Sequence, residues 1–240
     1  TGVQTCALPI LIASGNDYEM ESIEKSIDSL LIQLNKQMST WDPESEISQF
    51  NDWNSKVPFA VSDDFLNVVK KSITISENTG GLFDPTVYDL MSLWGFGPNP
   101  KSGFPNIKDV HRVLEHTGIG QIEVTDSVLV KSNKMCKLDL NAIAKGYGVD
   151  KIFELLNQMG FHNIFVEIGG EVKCFGKNIN NKSWSIGIED PNDDGNYQKN
   201  ISAIISVTNG AIATSGNYRN IVDLDGEILG HTINPQTEIG

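Results

Sequence analysis

The reading turns on KLDLNAIAKGYGVDKIFELLNQMGFHNIFVEIGGEVKCFG, residues 137–176. Residues 137–140 are short and strand-like. From Ala144 onward Val149, Ile152, Phe153, Leu156 and Met159 recur at helical spacing until Gly160, a residue suited to the left-handed turn that closes helices. A buried strand, NIFVEIGGEVKCFG, is expected next. The junction at residues 139–146 therefore opens a helix, where unpaired backbone N–H groups favour an anion and Lys145 can add a point charge. A salt-bridged helix cap accounts for the same residues. In Val166-Glu167-Ile168-Gly169-Gly170-Glu171 the paired glycines allow close approach of a backbone or ligand, or form a β-bulge.

Upstream, Ile23, Ile27, Leu30, Leu31, Leu34 and Met38 form one helical stripe. STWDPESEISQFN, residues 39–51, breaks it, with a turn at Asp42-Pro43 because the proline ring disfavours a helical residue before it. Ser62, followed by Asp63 and Asp64, opens a second helix that stops at Gly80-Gly81. Residues 82–105, rich in Gly, Pro and aromatics, read as an ordered loop with a short helical piece, since Phe83, Trp94 and Phe96 favour burial. A short helix near residues 109–117 and a hairpin over 121–131 precede the central stretch. WSIGIEDP and ISAIISVTNGAIATSG read as further strands, and YRNIVDLDGEILGHTI as a hairpin turning at Asp225-Gly226. Helices early and paired strands late predict an α+β fold, with a mixed, largely antiparallel sheet and flanking helices.

The 240 residues suffice for a real core, and 39% hydrophobic with 20% charged residues is ordinary for a globular chain. Lys+Arg 18 against Asp+Glu 31 leaves a formal charge of -13, which repels phosphate backbones and argues against nucleic acid as a partner. No apolar run reaches the ~18 residues of a membrane helix. Cys6, Cys136 and Cys174 form no CxxC pair and no zinc-finger spacing with His; the last two read as small core residues.

Two more stretches carry polar specification beyond packing. Thr214-Ser215-Gly216-Asn217-Tyr218-Arg219 is either an anion nest or a surface turn. In Gly230-His231-Thr232-Ile233-Asn234-Pro235 the histidine is either packed or a general base.

Together, MSTWDPESEISQFN, LFDPTVYDLMSLWGFGP, LDLNAIAKGYGVD, VEIGGEV, WSIGIEDP, TSGNYRN and HTINPQT resemble, in order and spacing, the ApbE family, the FAD:protein FMN transferases. The resemblance runs from about residue 20 to 237. It implies Mg²⁺-dependent transfer of FMN from FAD to a Thr or Ser hydroxyl of an acceptor protein, with release of AMP. A Mg²⁺-dependent FAD pyrophosphatase and a non-catalytic flavin-binding protein are the alternatives. Carried over, it implies that Trp41 stacks on a flavin or adenine ring and that Leu82, Phe83 and Asp84 line the cofactor. Asp139 and Lys145 would hold its polar parts, the Ala142 carbonyl would bind Mg²⁺, and His231 and Ile233 would contact FAD beside the reacting phosphates. His231 is the expected catalytic base. The implied acceptors are flavoprotein subunits of membrane redox complexes, with the enzyme exported and anchored at the outer face of the cytoplasmic membrane.

TGVQTCALPI, residues 1–10, matches one reading frame of a common sequencing adapter, and Glu238-Ile239-Gly240 matches another. Both are expected to be foreign, with residues 11–237 an incomplete flavin transferase domain. By the resemblance, further strands, which would pair with the last hairpin, and an Asp and a Thr or similar Mg²⁺ ligand would follow Thr237, so weak activity and an exposed sheet edge are expected of this chain.

Overall fold

The computed structural model describes residues 10–12, 19–190, 201–216, 221–224 and 226–236. Cys6, Asn217, Tyr218, Arg219, Asp225 and residues 237–240 lie outside the described residues. In chain order the elements are β1 (Ile10–Ile12), α1 (Met20–Met38), α2 (Glu46–Asp52), β2 (Phe59–Ala60), α3 (Asp63–Asn78), α4 (Tyr88–Leu93) and α5 (Ile107–Leu114). Then come β3 (Ile122–Thr125), β4 (Val128–Lys131), α6 (Asn141–Gln158), β5 (Ile164–Ile168), β6 (Glu171–Phe175), β7 (Trp184–Glu189) and β8 (Ile201–Val207). β9 (Gly210–Ile212), β10 (Ile221–Leu224) and β11 (Glu227–Gly230) complete the order.

The α+β expectation holds. Every described strand pairing is antiparallel, and the strands fall into four sheets, β1-β5-β6-β9, β2-β4-β3, β7-β8 and β10-β11. The α1 stripe is buried at Ile23, Ile27, Leu31, Leu34 and Met38, as its period requires.

The described residues form two compact units. One comprises 32–144, 221–224 and 226–236; the other 10–12, 19–31, 145–190 and 201–216. In the first, Leu90, Phe96, Val110 and Ile233 form a buried cluster, with Trp94 and Val222 packed against it. In the second, Phe165, Val172, Cys174, Trp184 and Ile186 form another. Cys136 and Cys174 are free and buried, as read from their apolar surroundings.

Three local expectations are corrected and one, at Ser62, is refined. Residues 46–52 form α2 inside the stretch read as a break: Ser45 caps it by accepting the Ser48 N–H at 3.1 Å, and Ile47 and Phe50 bury its apolar side. Ser62 stands at the N-cap of α3 as expected; its hydroxyl accepts no first-turn N–H, and its hydroxyl and its N–H both donate to Glu46, at 2.6 and 2.5 Å. Residues 137–140 join no strand. Gly169 and Gly170, with φ of +56° and +96°, turn a hairpin between β5 and β6 rather than bulging one strand. Positive φ at both central residues is what a two-residue turn between twisted strands demands.

Candidate active site

A segment with buried residues outside any strand must still satisfy its backbone groups. In the first unit, Leu138 does so through one side chain: its N–H donates to Asn51 Oδ1 at 2.7 Å, and its carbonyl accepts from Asn51 Nδ2 at 2.8 Å. The Asp139 N–H donates to the Pro85 carbonyl at 2.7 Å, joining this segment to the loop at 82–86. The carboxylate of Asp139 then accepts the Asn141 N–H at 2.8 Å, and the Leu140 carbonyl accepts from Ile143 and Ala144, which starts α6. Asn141 Nδ2 donates to Thr40 Oγ1 at 3.3 Å and so brings in the neighbour of Trp41. Trp41 is 47% exposed, and a large indole in water offers a stacking surface.

Burial pushes the Asp139 pKa above the ordinary carboxylate range, against the opposing pull of its hydrogen bonds from Asn141. No ion pair among the described residues involves Asp139. Two residues before it, Lys137 Nζ pairs with Asp89 Oδ1 at 2.9 Å, and His116 Nε2 lies 3.1 Å from the other Asp89 oxygen.

The loop at 82–84 follows Gly80 and Gly81, both at positive φ. Thr79 Oγ1 accepts the Phe83 N–H at 3.1 Å, and Leu82 is left exposed. Asp84 Oδ1 accepts both the N–H and the hydroxyl of Thr86, at 2.8 and 2.6 Å, so one of its oxygens is committed to the turn. Gln236 Nε2 donates to the Gly80 carbonyl at 2.7 Å, which draws the segment carrying His231 and Ile233 to the same loop. Ile233 is buried in the apolar cluster with Phe96. His231 meets the Phe96 ring edge-on at 6.5 Å between centroids, and its buried Nδ1 has no hydrogen-bond partner. Trp94 Nε1 is likewise buried and unpartnered. Such groups cost about 1–3 kcal/mol each and call for an explanation.

Lys145 belongs to the second unit. Its ammonium lies 2.9 and 3.0 Å from the two oxygens of Glu171, and a Cβ placed on Gly169 would touch its Cδ at 3.6 Å. The contact that this residue makes is thus a salt bridge from α6 to β6.

The donors around the α6 start are oxygens: the Asp139 carboxylate, the Thr40 hydroxyl, the Asn141 amide and the carbonyl of exposed Ala142. That chemistry, beside a desolvated carboxylate with no ion pair, fits a hard cation such as Mg²⁺. The described residues contain no group of three His, Cys, Asp or Glu able to hold a metal, so these oxygens would be a partial shell.

Hydrogen bonds thus connect the segments of Trp41, of Leu82, Phe83 and Asp84, of Asp139 and Ala142, and of His231 and Ile233, all within one unit. Sequence reasoning missed Thr40, Asn51 and Asn141. The one available signal was Asn51, a polar residue beside Ile47 and Phe50 on the buried side of a short helix.

A model of the ApbE family matches residues 5–239. The chain is 40% identical over 220 residues to a FAD:protein FMN transferase of Vibrio cholerae, covering 91% of this chain and 65% of that protein. Against the protein of the same name from Haemophilus influenzae, identity is 36% over 224 residues, with 90% and 64% covered. The chain therefore spans less than two thirds of the length of these relatives. Among solved structures it is similar to the flavin transferase ApbE of Vibrio cholerae, with a TM-score of 0.86 and 36% identity over 97% of this chain and 74% of that one. The apo flavinyl transferase ApbE of Pseudomonas stutzeri gives 0.85 and 29%, over 97% and 72%. With motif order, fold and family model in agreement, the chain belongs to the ApbE family.

Proposed function

We propose that this chain carries the flavin-nucleotide site of a FAD:protein FMN transferase, which moves FMN from FAD to a Thr or Ser hydroxyl of an acceptor protein and releases AMP. The observation that carries the reading is the linkage, inside one unit, of the Trp41, 82–84, 139–142 and 231–233 segments by hydrogen bonds across long sequence separations. Relatives bearing this activity in their names support it.

In the proposed reaction the hydroxyl oxygen attacks the flavin-side phosphorus of FAD, and the bond from that phosphorus to the bridging oxygen breaks. The bridging oxygen leaves with AMP, and the hydroxyl proton goes to the protein. His231 takes that proton: a neutral imidazole has one acceptor nitrogen, and Nδ1 already lies without a partner. Trp41 offers its exposed face to a ring, and Leu82 and Phe83 line the cofactor. Asp139, with Lys145 by family resemblance, orients polar groups of the nucleotide. Ile233, whose side chain is committed to the core, has its backbone left for contact. Mg²⁺, held in part by the Ala142 carbonyl, would neutralise charge on the pyrophosphate. Flavoprotein subunits of membrane redox complexes as acceptors, and a place at the outer face of the cytoplasmic membrane, complete the proposal on the resemblance alone.

The test supplies FAD, Mg²⁺ and a Thr-bearing acceptor protein and reads flavin fluorescence on the denatured acceptor together with free AMP. Labelled acceptor with equimolar AMP is the expected result. FMN plus AMP without labelling would replace transfer by hydrolysis, and neither product would leave flavin binding alone.

A further inference from the structure

We propose that Asn51 is a positioning residue for the flavin-nucleotide site, acting on the nucleotide through Asp139; the inference rests on the function proposed above. Asn51 lies in the last turn of α2, is 5% exposed, and does not reach the site with its own side chain. Its carboxamide instead makes both bonds that a neighbouring strand would make to Leu138, at 2.7 and 2.8 Å and across 87 residues of sequence. A strand in a sheet is held by many bonds from many residues, so that losing one shifts it little. Here a single side chain supplies both for Leu138, and Asp139 is the next residue. The remaining ties of Asp139, to the Pro85 carbonyl and the Asn141 N–H, run toward the site and set direction, whereas Asn51 sets how far the segment stands from α2.

Asn51 is itself braced. Its own carbonyl accepts Lys131 Nζ at 3.3 Å, and that ammonium lies 4.6 Å from the centre of the Phe50 ring. The clamp is therefore tied to a second buried side chain. A displacement of about 1 Å at a group that orients a reacting nucleotide is enough to lower binding and rate steeply. A buried Asn that merely satisfied a backbone would affect folding and nothing else.

The experiment titrates FAD into the full chain, by flavin fluorescence, for Asn51→Ala, Asn51→Asp, Asp139→Asn, the Asn51→Ala/Asp139→Asn pair, and Lys131→Met. The single Asn51 variants should each weaken FAD about 10-fold, and Asp139→Asn about 10-fold or more. The double variant should bind within about 2-fold of Asp139→Asn, because a residue that acts through another adds nothing once that other is gone. Lys131→Met removes the brace on the Asn51 carbonyl without touching Leu138; it should shift the unfolding curve and weaken FAD by less than either Asn51 variant does. Asn51→Asp keeps the volume and the acceptor, so it reads the clamp even where Asn51→Ala fails to fold. Additive losses of about 100-fold, or wild-type affinity in both Asn51 variants, overturn the proposal while leaving the function intact. Wild-type affinity in Asp139→Asn removes Asp139 from the site and overturns both.

Discussion

Two charged groups bracket the first turn of α6, one in each unit, and they are treated in opposite ways. Lys145 has its ammonium 2.9 and 3.0 Å from the two oxygens of Glu171. Its charge is answered by the fold. Asp139 is desolvated, takes part in no ion pair among the described residues, and is hydrogen-bonded by Asn141. Its charge is carried against the preference of its surroundings, which supports the role proposed for it at the nucleotide. The contrast separates two residues of one motif that sequence alone treats alike.

The largest effect should come from the base. His231→Ala should lower FMN transfer by about 10³-fold, within the range for loss of a general base, while FAD affinity stays within about 3-fold. Unchanged transfer would leave the unpartnered Nδ1 without a role. Asp139→Asn should weaken FAD and at the same time stabilise the protein at neutral pH, read as a higher midpoint of thermal unfolding. The sign follows from the raised pKa: above its ordinary value near 3.8 the unfolded chain loses this proton first, so the folded state binds more protons and stability falls as pH rises. The advantage of the variant should therefore vanish in acid. A variant less stable than wild type at pH 7 would erase the contrast with Lys145.

Lys131 tests the cost of a buried charge in the opposite sense. Burial lowers its pKa from 10.5 to about 8, although it keeps contact with the Asn51 carbonyl and the Phe50 ring. Between pH 8 and 10.5 the unfolded chain holds the proton and the folded one does not, so the wild type should gain stability there, by at most about 3 kcal/mol. Lys131→Met should lack that gain in chemical unfolding followed against pH. Equal slopes for the two proteins would refute it. The smallest effect is expected at Glu171→Gln. The Lys145 side chain is 41% exposed, so solvent screening limits the loss to about 0.5 kcal/mol. The released ammonium should tighten FAD no more than about 3-fold if Lys145 reaches the nucleotide; unaltered affinity would make it structural.

Periodicity was enough for the long helices, because a stripe such as Ile23, Ile27, Leu31, Leu34 and Met38 has only one way to be buried together. It failed at α2, where seven residues are too few to show a period and the helix depends on Ser45 as a cap. It failed again at residues 137–140, whose alternation reads as a strand but whose partner is an asparagine side chain 87 residues upstream. Glycines 169 and 170 signalled a special backbone without saying which, since a bulge and a two-residue turn both use them.

The sequence by itself determined the family, through seven motifs in order, and with them the side chains that we propose for a flavin nucleotide: Trp41, Asp139 and His231. Those are matters of chemical type, and type is written in the residues. Which charge is paired and which is not, which histidine nitrogen lacks a partner, and which asparagine holds Leu138 were decided only when distant segments met. A hydrogen bond acts over about 3 Å, and sequence separation carries no information on that scale.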